Sequence, residues 1–236
     1  MKSKNTKSKA PAPGHDSTGT IKPTLIAFLL DRSGSMASGR EETISGFNAY
    51  MQTMKDKDDG SMRFTLTQFD SISTEVLYNA APLREVSKLI FVPRGNTPLW
   101  DAMGETMRET LKQAGDAFKV LFVVLTDGQE NASSKFTGDA VKALIKEMET
   151  QQHWTFAYIG VGLQGFAQTQ AMAAGTQCAS NVLHSTHETM GTAYRSFASG
   201  SAAYAMNANT AKCVVTNFWD GMKSTEDEDE PPKKKK

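Results

Sequence analysis

The stretch TLIAFLLDRSGS, residues 24–35, joins a run of apolar residues directly to a polar loop. The near-continuous apolar character of residues 25–30 is typical of a central strand that is covered on both faces. Asp31 ends this strand, and Ser33 and Ser35 follow on the loop. Three oxygen-bearing side chains so close together suit a hard divalent cation, so the loop is a candidate metal site.

A second apolar strand, predicted at residues 120–126, has the same design, because an acid, Asp127, and then Gly128 follow it. The spacing of apolar residues between and after these strands predicts further helices and strands. The predicted helices are at about 40–55, 98–111, 138–151 and 165–174, with a final helix after residue 185, and the other predicted strands are at 62–69, 72–78, 154–159 and 179–183.

This alternation predicts an α/β fold with a mostly parallel central sheet and helices on both faces. The strands at 62–69 and 72–78 follow each other so closely that we expect an antiparallel hairpin at one sheet edge. Ligands of such sheets bind at the carboxyl ends of the strands, where the strand order reverses. Asp31 and Asp127 end the two most apolar strands, and we therefore expect them to lie together.

The chain has 236 residues, of which 39% are apolar, so it can bury one sizeable core. Its predicted organisation is a disordered basic arm (1–22), a main domain (23–206), a C-terminal strand or docking arm (207–222) and a disordered charged tail (223–236). Although the formal charge is zero, the main domain has a surplus of acids, so nucleic-acid binding is not expected except through the lysine-rich tails.

No apolar run approaches the roughly 20 residues that a membrane-spanning helix needs, so no membrane partner is expected. The first 20 residues contain lysines but no apolar region, so we do not expect a secretion signal at that position. Cys178 and Cys213 are the only cysteines. A disulfide framework is therefore not expected, and the sequence predicts a reduced, cytoplasmic setting.

Three motifs together resemble the metal-ion-dependent adhesion site of the von Willebrand factor A domain family. They are Asp31-Arg32-Ser33-Gly34-Ser35, then Thr97 within Gly95-Asn96-Thr97-Pro98, then Leu125-Thr126-Asp127-Gly128. Taken alone, the first motif would more often be a turn or a helix cap. The order and spacing of all three, across roughly residues 23–206, favour the family resemblance instead.

The resemblance implies a Rossmann-like three-layer fold with strand order 3-2-1-4-5-6, in which strand 3 is the antiparallel edge. It also implies that Ser33, Ser35 and commonly Thr97 bind Mg²⁺ (or Mn²⁺) directly, while Asp31 and Asp127 act mainly through bound water. One coordination position stays open for a carboxylate of a partner protein. A compact chain with short tails resembles the stand-alone prokaryotic or bacteriophage type.

Two enzymatic alternatives compete with a binding module. A phosphatase-like enzyme would use an Asp-x-Asp motif, but Ser33 occupies the position of its second acid. The segment Gly160-Val161-Gly162-Leu163-Gln164-Gly165 matches the dinucleotide fingerprint and lies between a predicted strand and helix. Too little chain follows it for the usual nucleotide-binding halves, and close backbone packing is the simpler interpretation.

Several other polar residues have simple structural interpretations. Cys178, His184, His187 and Cys213 match no compact zinc spacing. Asp101 and Glu130 are interpreted as surface groups of a helix or loop, and Asp70 as a turn residue. Ser185 and Glu188 fit a capping box at the start of the final helix. The sequence thus predicts a metal-dependent protein-binding module and not an enzyme.

Overall fold

The computed structural model describes residues 22–151 and 154–206. The predicted basic arm up to residue 21, the predicted docking arm (207–222) and the charged tail (223–236) lie outside the described residues. Within them, the strands are β1 (Thr24–Asp31), β2 (Arg63–Phe69), β3 (Thr74–Pro82), β4 (Lys119–Thr126), β5 (Thr155–Val161) and β6 (Val182–Ser185). The α-helices are α1 (Arg40–Lys57), α2 (Leu99–Ala114), α3 (Gly138–Gln151), α4 (Gly162–Ala173) and α5 (Met190–Met206).

The six strands form one sheet in the order β3-β2-β1-β4-β5-β6. All neighbouring strands are parallel except β2 and β3, which form the antiparallel hairpin at one edge. The predicted fold class, strand order and antiparallel edge are therefore confirmed. Because β1 and β4 are adjacent, their carboxyl ends meet at the same place on the sheet.

Helices cover both faces of the sheet, which makes three layers. Because side chains alternate along a strand, Ile26, Phe28 and Leu30 of β1 face one side and pack with α1 and α5. Leu25 and Leu29 face the other side and belong to the cluster formed with α2, α3 and α4. Every residue of β1 and β4 is buried, as expected for central strands covered on both faces.

The edge strand β3 is irregular. Its pairing with β2 shifts register on both sides of Leu66, and Ala80 has a φ of 47°, in the left-handed region that favours glycine. The amide of Ala80 donates to the side-chain oxygen of Thr65 (3.0 Å). The strand is therefore bulged where it runs along the open edge of the sheet.

Predicted element limits differ from the observed ones mainly after residue 160. Helix α4 begins at Gly162, three residues earlier than predicted, and β6 begins at Val182, three residues later than its prediction. Pro98 precedes the first residue of α2 and does not occupy it. The other predicted helices and strands lie within a few residues of their predicted limits.

The predicted capping box of Ser185 and Glu188 is wrong. Ser185 is the last residue of β6 and pairs with Val161 of β5, so its backbone belongs to the sheet. The reciprocal contacts are made one residue later, because the amide of Thr186 donates to Thr189 Oγ1 (2.8 Å) and the amide of Thr189 donates to Thr186 Oγ1 (3.2 Å). A threonine thus replaces the glutamate expected in the motif.

Cys178 is fully buried in the cluster beneath α2, α3 and α4, and it is disulfide-bonded. The expected reduced state is therefore wrong for this residue. The cysteine count no longer supports a cytoplasmic setting, since reducing compartments disfavour such bonds.

None of the helices within residues 22–151 and 154–206 has both the length and the apolar character that crossing a membrane requires.

Candidate metal centre

The carboxyl ends of β1 and β4 place Asp31 next to the residues that end β4. Leu30 pairs with Leu125, and the hydroxyl of Thr126 donates to Asp31 Oδ2 (2.5 Å). The other carboxylate oxygen, Oδ1, accepts the amide of Ser33 (2.7 Å). Asp31 is fully buried. Its carboxyl group is held at the end of β1 by these two hydrogen bonds.

Burial raises the pKa of Asp31 from its ordinary value of 3.8 to about 6. The hydrogen bonds from Thr126 and Ser33 lower the pKa and offset part of this effect, whereas the charge of Asp127 raises it further. The ionised form of Asp31 is therefore destabilised in the folded protein. A nearby cation would reverse this balance, because it favours the ionised form.

The loop after β1 connects Asp31 to Asp127 through two hydroxyl groups. Ser33 Oγ and Ser35 Oγ lie 3.1 Å apart, and Ser35 Oγ donates to Asp127 Oδ1 (2.6 Å). Burial raises the pKa of Asp127, while the hydrogen bond from Ser35 and the charge of His187 lower it in part. Oxygen atoms from two segments about 90 residues apart thus meet at one edge of the sheet.

Thr97 lies at the same edge. Gly128 has no side chain, and a Cβ placed on it would lie 3.3 Å from Thr97 Oγ1 and 3.5 Å from Ser35 Oγ. The backbone of Thr97 is held by Asn131, whose Oδ1 accepts the Thr97 amide (2.9 Å) and whose amide donates to the Thr97 carbonyl (3.2 Å). All five predicted site residues therefore converge, and glycine at 128 leaves the space between them open.

The guanidinium group of Arg32 forms a network on the other side of the loop. Its Nε donates to Asp70 Oδ2 (2.7 Å), and further donors reach Gln68 (3.3 Å), Glu75 (2.9 Å) and Ser73 (3.0 Å). Arg94 also pairs with Asp70 (3.0 Å). The loop residue between Asp31 and Ser33 is thereby fastened to β2, β3 and the turn between them.

Asp70 is the predicted turn residue, but it also binds two arginines. Its Oδ1 accepts the amides of Ile72 and Ser73 (2.7 and 2.9 Å), as in a turn, but its Oδ2 also accepts from the two arginines. Sequence reasoning missed this role because the partner, Arg32, is 38 residues away. The sequence indicated only that Arg32 and Asp70 each follow a predicted strand.

Asp101 and Glu130 are not simple surface groups, and that interpretation is wrong. Asp101 is buried and accepts the amides of Ser134, Lys135 and Phe136 (all 2.8 Å). Glu130 accepts the amide of Trp100 (2.9 Å) together with those of Ala132 and Ser133 (2.8 and 2.7 Å). These carboxylates hold the loop after β4 against the start of α2, which positions Asn131 beside Thr97.

The glycines of the dinucleotide-like fingerprint serve close packing. A Cβ on Gly160 would lie 2.5 Å from the Cα of Phe166, and a Cβ on Gly165 would lie 2.5 Å from the Thr126 carbonyl oxygen. Both distances are shorter than real contacts of a Cβ atom. The helix α4 thus lies directly against the ends of β4 and β5, in agreement with the packing interpretation of this motif.

Replacing Gly165 with alanine is expected to destabilise the protein by about 2 kcal/mol and to weaken Mg²⁺ binding at least tenfold. The new Cβ would lie 2.8 Å from the Cα of Asp127, so the backbone that carries this carboxylate must move. Chemical denaturation and calorimetric titration measure the two effects. Gly191→Ala is the control, because the nearest atom to its Cβ is 3.8 Å away; equal effects of both substitutions would contradict the prediction.

The residues of the zinc alternative have different surroundings. Cys178 is buried in the core, the ring of His184 lies against Phe166, and His187 Nε2 is 3.0 Å from Ser38 Oγ. Cys213 lies outside the described residues. No group of three or more His, Cys, Asp or Glu side chains suited to a metal is found in the described part of the chain. The candidate centre instead combines two carboxylates with hydroxyl groups.

A model of the von Willebrand factor type A domain family matches residues 26–195. This segment covers more than half of the chain and includes β2 to β6 and all but the first two residues of β1. All five predicted site residues lie within it.

Solved structures of several proteins share the fold. The von Willebrand factor domain of the pili tip protein Mfa5 from Porphyromonas gingivalis is 11% identical, with a TM-score of 0.58, and the match covers 79% of this chain and 97% of that chain. Proximal thread matrix protein 1 from the mussel byssus, with a zinc-occupied MIDAS motif, is 14% identical (TM-score 0.54; 77% and 46%). Manganese-loaded TRAP protein from Plasmodium vivax is 16% identical (TM-score 0.52; 72% and 71%). The match thus spans less than half of the mussel protein, and identities this low show the common fold alone.

Proposed function

The chain belongs to the von Willebrand factor type A domain family, and on that premise we propose that it is a metal-dependent protein-binding module. In this proposal, a divalent cation bound at the carboxyl ends of β1 and β4 coordinates an acidic side chain of a partner protein. The proposed metal-site residues are Asp31, Ser33, Ser35, Thr97 and Asp127.

The observation that supports this function most directly is the convergence of hydroxyl and carboxylate oxygens from distant segments. Ser35 donates to Asp127 (2.6 Å) and lies 3.1 Å from Ser33 Oγ, while Asp31 is held next to them. These are hard oxygen ligands, as Mg²⁺ and Mn²⁺ require. The raised pKa values of Asp31 and Asp127 fit a site in which a cation would favour the ionised carboxylates.

The charged and the neutral side chains would contribute differently to binding the cation. Two carboxylates balance the charge of a divalent cation, and the hydroxyls of Ser33, Ser35 and Thr97 add ligands without adding negative charge. We propose that the hydroxyls bind directly and that the carboxylates act mainly through water. The bound cation supplies a Lewis-acidic position for one further hard ligand, such as a partner's carboxylate.

The proposed metal is Mg²⁺, with Mn²⁺ as the alternative. The mussel structure has zinc in its MIDAS motif, and the Plasmodium structure is loaded with manganese, so the fold accepts divalent cations in those proteins. For this chain, we favour Mg²⁺ because every proposed ligand is oxygen.

The proposal includes no catalytic step. In the Asp-x-Asp arrangement of a phosphatase, the second acid protonates a leaving group, whereas Ser33 in that position is a hydroxyl 3.1 Å from another hydroxyl. The stand-alone prokaryotic or bacteriophage type and the main-domain limits of 23–206 stay predictions.

Removing the hydroxyl of Thr97 tests the metal site without changing its charge. We expect Thr97→Val to weaken Mg²⁺ binding by roughly tenfold to a hundredfold, because the substitution replaces one proposed ligand with a methyl group of similar size. The backbone bonds to Asn131 remain, so the fold should be retained. Calorimetric titration with Mg²⁺ and Mn²⁺ measures the change, and Thr74→Val, on the exposed edge strand, is the matched control. Equal metal affinity of the Thr97 variant and wild type would contradict the role of Thr97.

Affinity capture with the full chain as bait tests the partner. Proteins retained in Mg²⁺ should be released by EDTA and should not be retained by an Asp31→Asn bait. Retention that is equal in Mg²⁺ and EDTA would show that the captured proteins do not use the proposed site.

A further inference from the structure

We propose that the chain has a second binding site, separate from the candidate metal centre, for a partner peptide that carries one large apolar side chain close to acidic residues. The site consists of two neighbouring depressions, which we call the apolar cleft and the basic depression. Ser87 and Lys88, which follow β3 in the chain, line both of them. The site goes beyond the proposed function, because it needs no cation.

The apolar cleft has a volume of about 310 Å³, at the lower end of the range of ligand pockets. Its apolar lining is formed by Leu66, Leu77, Tyr78, Leu89 and Ile90. Leu66 and Leu89 are buried and pack with α1, whereas Leu77 and Ile90 are 42% and 78% exposed. Large apolar side chains that are exposed together mark interaction sites. A buried apolar base with an exposed apolar rim suits one large apolar side chain from outside.

The bulge in β3 contributes to the lining of the apolar cleft. The register of β3 shifts between Val76 and Tyr78, which pair with two successive residues of β2. Leu77 is therefore an extra residue of the strand. Leu77 and Tyr78 both line the cleft, although successive side chains of a regular strand point to opposite faces. A bulge redirects a side chain in this way, and here it adds a leucine to the rim.

Two hydrogen bonds hold the walls of the apolar cleft in place. The amide of Ser87 donates to the hydroxyl of Tyr78 (2.9 Å). Gln68 Nε2 donates to the carbonyl oxygen of Ile90 (2.9 Å). These bonds join the segment after β3 to β3 itself and to β2. The cleft is therefore formed before a partner binds, which lowers the entropic cost of binding.

The charged residues of the apolar cleft differ in whether their charges are balanced. Arg32 donates to Asp70 and Glu75 (2.7 and 2.9 Å). Glu75, which also lines the cleft, accepts from Arg94 as well (3.2 Å). Lys88 lines the cleft and has no ion pair among the described residues. The cleft thus offers one exposed cation whose charge is not compensated.

The basic depression adjoins the apolar cleft at Lys88. It is lined by Lys55, Arg84 and Lys88, and no carboxylate is among its lining residues. Within the described part of the chain, the one ion pair of these cations joins Arg84 to Glu85 at 3.8 Å, and both side chains are exposed. Such a pair is weak and can exchange its partner. The three cations therefore favour an anionic ligand.

The order of the two depressions defines the chemistry of the partner. A large apolar side chain fills the cleft, and carboxylates roughly two to four residues away reach the three cations, because an extended chain advances about 3.3 Å per residue. The partner is bound through its side chains. It does not add a strand to β3, since the bulge interrupts that edge.

Binding of a labelled peptide to the full chain in EDTA tests the proposal. The probe is fluorescein-labelled Asp-Glu-Gly-Phe-Gly-Glu-Asp, in which acids flank the apolar residue on both sides, so that either chain direction can bind. By fluorescence anisotropy, we expect Ile90→Ser and Lys88→Glu each to weaken binding at least about tenfold. The matched controls are Leu163→Ser and Lys146→Glu, exposed residues of the helices that cover the opposite face of the sheet. Each control should change the affinity by less than about twofold.

The peptide itself is also varied. Wild type should bind Asn-Gln-Gly-Phe-Gly-Gln-Asn and Asp-Glu-Gly-Ser-Gly-Glu-Asp at least about tenfold more weakly than the probe, because each lacks one of the two recognised features. Lys88→Glu should bind Lys-Lys-Gly-Phe-Gly-Lys-Lys more tightly than wild type does, which shows that this variant is folded. No measurable binding of the probe by wild type, or equal binding by wild type and both cleft variants, would overturn the proposal.

The dependence on metal separates this site from the candidate metal centre. Wild type and Asp31→Asn should bind the probe equally, with or without Mg²⁺. A probe that Asp31→Asn fails to bind, or that EDTA releases, occupies the metal centre, and this result would overturn the second site. Peptide binding by a chain that does not bind Mg²⁺ supports the second site while the proposed function falls.

Other occupants of the two depressions are tested with the same variants. Concentration-dependent dimers of wild type in sedimentation that disappear in Ile90→Ser would show that a second copy occupies the cleft. Sedimentation of the chain with phosphatidylserine vesicles that is lost in Lys88→Glu would assign the basic depression to a membrane surface. Either result, in a chain that does not bind the probe, would overturn the peptide site.

Discussion

Replacing Asp31 with asparagine is expected to reduce Mg²⁺ affinity by at least a hundredfold and, at the same time, to stabilise the metal-free protein by about 2 kcal/mol. Both effects have one cause, the cost of a buried carboxylate. Asparagine keeps the shape of the side chain: its oxygen can accept the amide of Ser33, and its amide group can donate to the hydroxyl of Thr126. The charge that a cation needs is lost, while the penalty of burying that charge disappears.

The contribution of the Asp31 carboxyl group to the free energy of unfolding can be measured from its pH dependence. Its pKa is raised from 3.8 to about 6 in the folded protein, so the folded state binds more protons than the unfolded state between these values. The stability that the protonated form provides is fully present below about pH 4 and is lost as the pH rises through 6. The change is on the order of 3 kcal/mol. In the asparagine variant this component should be absent.

Denaturant unfolding in EDTA, from pH 4 to 8, measures stability, and calorimetric titration measures Mg²⁺ binding. Asp116→Asn is the matched control, because Asp116 is exposed and lies in the turn before β4, and neither quantity should change. An Asp31→Asn protein that binds Mg²⁺ as tightly as wild type would refute the metal role. A variant that is less stable than wild type at pH 7 in EDTA would refute the cost assigned to the buried charge.

Replacing Asp70 with asparagine should destabilise the protein by about 3 kcal/mol, the loss expected when one partner of a buried ion pair is removed. The side chain of Asp70 is 0% exposed and that of its partner Arg32 is 8% exposed. Burial alone would raise the pKa of Asp70, but hydrogen bonds from Ser73, Arg94, Ile72 and Arg32 outweigh it and hold the pKa below its ordinary value. This stabilisation is present above pH 4 and is lost as the pH falls further.

The substitution should also weaken Mg²⁺ binding, because Arg32 lies between Asp31 and Ser33 and loses its main anchor. Glu75→Gln is the matched control: it touches the same network, but its side chain is 43% exposed, so we expect a clearly smaller loss of stability than for Asp70→Asn. Denaturant unfolding at pH 7 compares the two variants. Equal losses would show that burial does not determine the strength of these ion pairs.

The sequence was most informative where one residue pattern determines the local structure. The apolar runs ending in Asp31 and Asp127 predicted two central strands, and parallel strands bring their carboxyl ends to one edge. Strand order followed from the family resemblance. The two strand ends do meet, and Ser35 donates to Asp127 there. That these residues bind a metal stays a prediction.

The residues that support the site were not predictable because their partners are distant in sequence. Asn131 beside Thr97, Asp101 beneath the loop after β4, and Asp70 beside Arg32 all look like ordinary polar residues of turns or helix surfaces. Their roles depend on how loops pack after the sheet has formed. The capping motif failed for a related reason: the pairing of Ser185 with Val161 extended β6 and moved the helix start along the chain.

The bulge in β3 affects whether a strand of another molecule can pair with this edge of the sheet. An open edge strand is a template on which another chain can add a strand, and this leads to fibres or to sheets shared between molecules. The register shifts around Leu66 and the left-handed backbone at Ala80 interrupt the row of hydrogen-bonding groups that an incoming strand would need. This edge of the sheet is thus protected against the addition of a strand from another molecule.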